Sequence, residues 1–297
     1  MDALELGATL YVPATRTDLF DIVSGRRHPG LRSAVLCLED SIRPADVPQA
    51  LTNLAVLLER LGEEQARLPV FIRPRDDRML AHILGFAGIE AIQGFVIPKA
   101  TADSLPSYLR ALASDAHLLM PTLETREAFD QAELARMREQ LLAIQERILC
   151  IRIGGNDLLH TIGARRSAVR TAYEGPLGGT IAGLVTAFAP FGFALSAPVF
   201  EHFDSPDLLR EEVEHDIEHG LLTKTAIHPA QIEVIQSAYR VRAAELAEAR
   251  EILSGDRGVF ALNGSMCEPA THRRWAEAVV KRAAIYGVHP EAVAAAV

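Results

Sequence analysis

The sequence predicts an α/β fold, a (β/α)8 TIM barrel with a C-terminal helical extension. Three observations predict it: eight short β-rich apolar runs, longer segments of helical periodicity between them, and no Gly-rich dinucleotide fingerprint after the first run. The runs are Thr9–Val12, Ala34–Leu38, Val70–Ile72, Phe95–Ile97, His117–Met120, Ile148–Ile153, Phe193–Leu195 and Thr225–Ile227. Apolar residues recur at helical spacing across Val47–Leu61, Leu105–Ala113 and Phe129–Ile148. Such alternation calls for parallel strands joined by crossover helices, and eight units in about 230 residues match a closed barrel. Pro13, Pro44, Pro74, Pro98, Pro121, Pro198 and Pro229 are each expected at or just beyond a strand end, because proline cannot donate to a ladder.

The tail reads differently. Pro229–Leu253 is expected as one long helix, Gly255–Gly264 as a polar connection, and Glu268–Tyr286 as a second helix. Residues 1–240 are therefore assigned to the barrel. Residues 241–297 are expected to form an extension packed on the barrel or on a neighbouring subunit.

Composition bounds the function. The chain has 297 residues, 49% of them hydrophobic and 23% charged, with a net charge of −9. These are globular values, and the acidic balance argues against nucleic acid as a partner. The acidic N-terminus is no secretory signal, and the apolar stretch Phe188–Phe200 is too short to span a bilayer, which needs about 20 residues. A cytoplasmic protein with no membrane partner is expected. Cys37, Cys150 and Cys267 are odd in number and far apart, so no disulfide framework is implied; Cys37 and Cys150 read as small buried hydrophobes.

In a barrel the active site lies at the carboxyl ends of the strands, so the residues just after each run matter most. Arg16 comes after the first run, Glu39 and Asp40 after the second, Arg73 after the third, Lys99 after the fourth and Glu124 after the fifth. Asn156 and Asp157 come after the sixth, Glu201 and His202 after the seventh, and His228 after the eighth. Each alone also reads as a solvated loop residue or a helix cap. The recurrence at all eight ends is the informative feature. Four carboxylates would face three cations, a set suited to holding a hard divalent cation and an anionic substrate together. Two direct carboxylate ligands with remaining positions open to water or substrate is the habit of Mg2+. Gly154 and Gly155 read either as a simple turn or as a loop whose N–H groups approach a substrate carboxylate. Arg165, Arg166 and Arg170 read as a solvated basic face or as a contact to a phosphate-bearing substrate.

The segments LYVPATR (10–16), LCLED (36–40), FIRP (71–74), VIPK (96–99), LMPTLET (119–125), RIGGNDLL (152–159), KTAIHPAQI (224–232) and NGSMCEP (263–269) resemble, in this order, the citrate lyase beta-subunit and HpcH-type aldolase superfamily. The details are most similar to the C–C bond lyase branch associated with tellurite-resistance and stress gene clusters. The resemblance implies a Mg2+-dependent lyase that cleaves or forms a carbon–carbon bond in a hydroxy or keto acid, or in its CoA thioester. It implies that Glu124 and Asp157 ligate Mg2+, that Arg73 binds substrate, that Glu39 and Asp40 act on metal-bound water or in proton transfer, and that Arg16 and Lys99 line the pocket. It further implies an acid at Glu268, acting in a neighbouring subunit of a trimer or hexamer, where relatives carry aspartate. An acyl-CoA thioesterase of the same fold and a non-catalytic subunit of a biosynthetic complex are the alternatives.

Overall fold

Eight parallel strands build the first part of the chain: β1 Ala8–Pro13, β2 Ser33–Cys37, β3 Val70–Arg73, β4 Gly94–Ile97, β5 Leu118–Leu123, β6 Ile151–Ile153, β7 Leu195–Ser196 and β8 Lys224–Ala226. In this computed structural model, residues 1–64, 66–112, 116–255 and 257–290 are described. Contacts divide the chain into two compact units, Met1–Ile235 and Gln236–Val297.

In the first unit the strand order is β7-β6-β5-β4-β3-β2-β1-β8. A bridge between Ala197 and Lys224, with the Ala197 N–H donating 2.8 Å to Thr223 C=O, joins the two edges and closes the barrel. Strands β2, β3 and β4 are buried at every position, as strands covered on both faces must be. Val35, Phe71, Val96 and Met120 pack together with Leu6, Leu149 and Cys150. Ala3 and Leu6 close the N-terminal end from a short turn that Asp2 and Glu5 cap reciprocally. The helix Val47–Glu63 buries Ala50, Leu54, Leu57, Leu58 and Leu61, the stripe its periodicity predicts.

Several expectations shift. Pro121 lies inside β5, not at its end. The odd-numbered residues of β5 face β6, since Leu119 and Leu123 carbonyls accept from Leu149 and Gly154. The missing donor of Pro121 thus falls between the Leu119–Ile148 bridge and the Thr122–Arg152 pair, where the ladder is interrupted anyway. The seventh strand is Leu195–Ser196, because pairing with Ile151 and Arg152 fixes its register. The fifth helix begins at Gln131, where the Asp130 side chain caps it, and ends at Leu142. The helix expected at Leu105–Ala113 runs over Leu105–Leu112; Ala113 lies outside the described residues.

The second unit corrects the tail. Pro229–Leu253 is two helices, Ala230–Ala238 and Ala243–Ser254. Between them Val241 turns extended: its N–H donates to Gly287 C=O and its C=O accepts from His289 N–H. The expected polar connection contains a hairpin, β9 Phe260–Leu262 and β10 Ser265–Cys267. Asn263 and Gly264 form its turn with φ of 52° and 79°, the left-handed pair that favours Asn-Gly. Leu246, Ala249, Ile252, Cys267, Ala276 and Val279 form this unit's core, and the second helix runs over Pro269–Tyr286, one residue after the expected start at Glu268, which is its N-cap.

One buried polar network of the first unit was not foreseen. Lys224, the first residue of β8, is fully buried and donates to Glu212 (2.9 Å) and Asp216 (2.8 Å) of the helix Pro206–Glu218. Arg166 also pairs with Glu212, and Tyr173 Oη donates 2.6 Å to Asp216. Removing one partner strands a buried charge. Lys224→Met is therefore expected to destabilise the protein by about 3–5 kcal/mol, read as a lowered thermal unfolding midpoint. A loss below roughly 1 kcal/mol would contradict the view that this network is tightly coupled.

Candidate active site

Five charged residues converge at the carboxyl ends of β2 to β5. Arg73, the last residue of β3, is buried, and its Nη2 lies 2.9 Å from Glu39 Oε2 and 2.8 Å from Glu124 Oε1. Lys99 Nζ pairs with Glu39 Oε1 and lies 3.0 Å from Asp40 Oδ2. Lys99 adopts a left-handed backbone, with φ of 47°, which points its N–H at Glu124 Oε1 (2.8 Å) while the following N–H of Ala100 returns to Thr122 C=O. Arg75 Nη2 clamps the β2 loop by donating to the carbonyls of Glu39 (3.0 Å) and Ile42 (2.7 Å).

Glu124 spends one oxygen on these contacts. Among the described residues no hydrogen bond reaches its Oε2. Asp157, half-buried in the first turn of the helix Gly155–Thr161, has a carboxylate with no hydrogen-bond or ion-pair partner among the described residues. Burial pushes the Glu124 carboxyl up to about 7, and the negative charge of Asp157 adds to that rise against the pull of Arg73 and the Lys99 N–H. Two neighbouring carboxylates with unengaged oxygens, one of them raised by burial, suit a hard divalent cation.

The remaining groups titrate according to their neighbours. Burial, then the carboxylate of Asp40 beside it, raise Glu39 from its ordinary value against Arg73 and Lys99. Burial raises Asp40 too, but hydrogen bonding to Glu39 and the Lys99 ammonium outweigh it and hold Asp40 low. Lys99 is raised: its bonds to Glu39 and Asp40 outweigh burial, so it stays charged and is no general base.

Both glycines make room for neighbouring side chains. Gly154 donates its N–H 3.1 Å to Leu123 C=O, so that group is not available to a substrate carboxylate. A Cβ at Gly154 would sit 2.3 Å from Glu124 Cβ, and one at Gly155 would sit 2.8 Å from Pro198 Cβ. Gly154 is required because the Glu124 side chain occupies that space.

Not every foreseen residue joins the cluster. Arg16 turns back on Asp18 in a two-pronged pair of 2.7 and 2.6 Å. Glu268 belongs to the second unit, where its carboxylate accepts from Thr271 Oγ1 at 3.1 Å. Glu201 binds Asn156 and Arg165, each at 3.3 Å, and His228 stacks on Phe203. One residue was missed. Arg152 of β6, 1% exposed, donates 2.7 Å to Thr225 Oγ1 and lies 5.3 Å from the Tyr11 ring, while Arg73 lies 6.0 Å from the same ring. Arg152 has no carboxylate partner among the described residues. The arginine inside an otherwise apolar run was the available signal.

With this geometry in hand, the comparisons decide the family. Residues 1–288 match the family described as C–C bond lyase of the TIM-barrel fold. The chain belongs to that family. It is 34% identical over 283 residues to a citrate lyase subunit beta-like protein of Mycobacterium tuberculosis, covering 92% of this chain and 94% of that protein. It is 25% identical over 269 residues to a (3S)-malyl-CoA thioesterase of Cereibacter sphaeroides, covering 88% and 89%. The crystal structure of Mycobacterium tuberculosis CitE in complex with magnesium, acetoacetate and coenzyme A superposes with a TM-score of 0.71 at 24% identity, covering 95% of this chain and 99% of that one, which supports the barrel fold. Among the described residues, no helix of this family member is long and apolar enough to cross a membrane.

The raised Glu124 pKa sets the pH dependence. A cation held by Glu124 would have to displace the proton that Glu124 binds below about pH 7, so Mg2+ affinity should fall about tenfold per pH unit on the acid side and level off above it. Calorimetric titration in buffers of different ionisation enthalpy checks this, and affinity that stays constant from about pH 5.5 to 8 would contradict it.

Proposed function

We propose that this lyase-family chain is a Mg2+-dependent carbon–carbon bond lyase acting on a hydroxy or keto acid, with its CoA thioester as the substrate class. The observation that carries the reading is the pair of unengaged carboxylates, Glu124 and Asp157, beside the buried Arg73. The relatives support it, since CitE is described with magnesium and coenzyme A. Glu124 and Asp157 would hold the Mg2+, which supplies Lewis-acid polarisation of a substrate oxygen. Arg73 and Lys99, both held protonated, provide the positive field against which enolate charge develops. The Glu39–Asp40 pair moves the proton: it takes the substrate's hydroxyl proton as the bond breaks and returns one to the carbon of the leaving fragment. Arg75 keeps that pair in place through the β2 loop.

The same reading carries a homo-oligomer, a trimer or hexamer in the cytoplasm, in which the extension of one subunit presents Glu268 to a neighbouring subunit. Its support is the resemblance around residues 263–269. A second reading, thioester hydrolysis, is favoured by the malyl-CoA thioesterase relative.

The test is product analysis with Mg2+ and a panel of malyl-, citramalyl- and citryl-CoA. Cleavage yields a keto acid and a shorter acyl-CoA; hydrolysis yields free CoA with the acid's carbon skeleton intact. Glu124→Ala and Asp157→Ala are each expected to lower turnover by about 10³-fold, the several kcal/mol that a Lewis-acid metal contributes. Turnover that survives both substitutions, or survives chelation of the metal, would overturn the reading.

A further inference from the structure

Tyr11 of β1 points into a closed barrel yet keeps contact with solvent. Its ring packs against the interior cluster of Val35, Phe71, Val96 and Met120, all fully buried, while Tyr11 itself is only half-buried. Ala3 and Leu6 of the same cluster are buried and close the amino end. The opening beside Tyr11 therefore leads to the carboxyl end of the barrel, where Glu39, Arg73 and Glu124 meet.

The chemistry at this floor is that of a donor. Among the described residues the Tyr11 hydroxyl has no hydrogen-bond partner, and unlike the Nε atoms of Arg73 and Arg152 it is not sealed from solvent. The guanidinium carbons of Arg152 and Arg73 lie 5.3 and 6.0 Å from the centre of its ring. Arg73 is shared between Glu39 and Glu124, but Arg152 donates to the neutral Thr225 hydroxyl, so its charge stands uncompensated beneath the ring. Such a charge favours an anion above it. Burial raises the Tyr11 phenol from its ordinary value against the pull of Arg152 and Arg73, so the hydroxyl keeps its proton and has it to donate.

We propose that Tyr11 is a substrate-binding residue whose hydroxyl donates a hydrogen bond to the carboxylate of an organic acid entering the barrel acid end first. The inference rests on the lyase reading and narrows its substrate class. The interior of an eight-stranded barrel is only wide enough for side chains and a small group, so a thioester arm has to trail out of the mouth while the acid end descends. The substrate is then an acyl thioester that carries a second, free carboxylate at the end remote from sulfur. Tyr11 holds that carboxylate and transfers no proton. The Gly154 N–H, spent on Leu123 C=O, leaves this task to another donor.

Oxalate, a small rigid organic diacid, titrated into the full chain at fixed free Mg2+ tests this by calorimetry and by the tyrosine difference spectrum. Saturable binding that perturbs a tyrosine band is expected. Tyr11→Phe keeps the ring and removes only the hydroxyl. It should weaken oxalate by roughly tenfold or more, the effect of one hydrogen bond to a charged group, and abolish the spectral change. Mg2+ affinity and the unfolding temperature should stay as they were. In turnover of malyl-CoA the loss should fall on KM with kcat little changed, because a carboxylate is held equally before and during bond cleavage. Unchanged oxalate affinity in Tyr11→Phe, with Mg2+ still bound, overturns the inference and leaves the lyase reading standing. A matching loss of Mg2+ affinity overturns it as well, since the hydroxyl then supports the metal site and not the acid. A parent chain that binds no Mg2+ fails the lyase reading itself, and the inference falls with it.

Discussion

One guanidinium nitrogen, Nη2 of Arg73, lies between two carboxylates that are themselves almost wholly buried, Glu39 and Glu124. Charges of this kind persist away from water only when each is paired and hydrogen-bonded. The pairing ties the ends of β2, β3 and β5 together, and the left-handed turn at Lys99 adds β4 by donating its N–H to the same Glu124 oxygen. Arg73 satisfies only one oxygen of Glu124. Among the described residues, no hydrogen bond reaches the other oxygen or the Asp157 carboxylate. Gly154 belongs to the same constraint, since any side chain there would collide with Glu124.

The barrel was legible because its strands are short, apolar and bounded, and because a barrel places its chemistry just after them. That rule by itself found Glu39, Asp40, Arg73, Lys99 and Glu124, which the structure brings into contact. The residues it missed owe their roles to partners that spacing does not reveal. Arg152 lies inside the sixth run and Lys224 just before the eighth, yet Lys224 finds Glu212 and Asp216 on a helix and Arg152 turns toward Thr225 and Tyr11. Arg16 has its acid two residues along, at Asp18, and pairs with it there. In the tail, helical periodicity ran through Tyr239–Arg242, where Val241 instead pairs with the chain near Gly287. The Asn263–Gly264 pair was a hairpin signal read as a plain connection.

The helix Gly155–Thr161 separates two regions of opposite sign. Its first turn carries Asp157 toward the acidic cluster, and the residues beyond its end carry Arg165 and Arg166 to a basic cavity. The buried network around Glu212 fixes Arg166 on that second side, so the fold's own electrostatics set where each charge can point.

The central claim is that Glu124 and Asp157 share one cation. Crystals soaked in Mn2+, measured for anomalous scattering at the manganese edge, test it most directly. The account predicts one strong peak within about 2–2.5 Å of an oxygen from each of the two residues, the ordinary reach of a hard divalent ion. A peak that touches only one of them, or that appears on other carboxylates and not here, would contradict it.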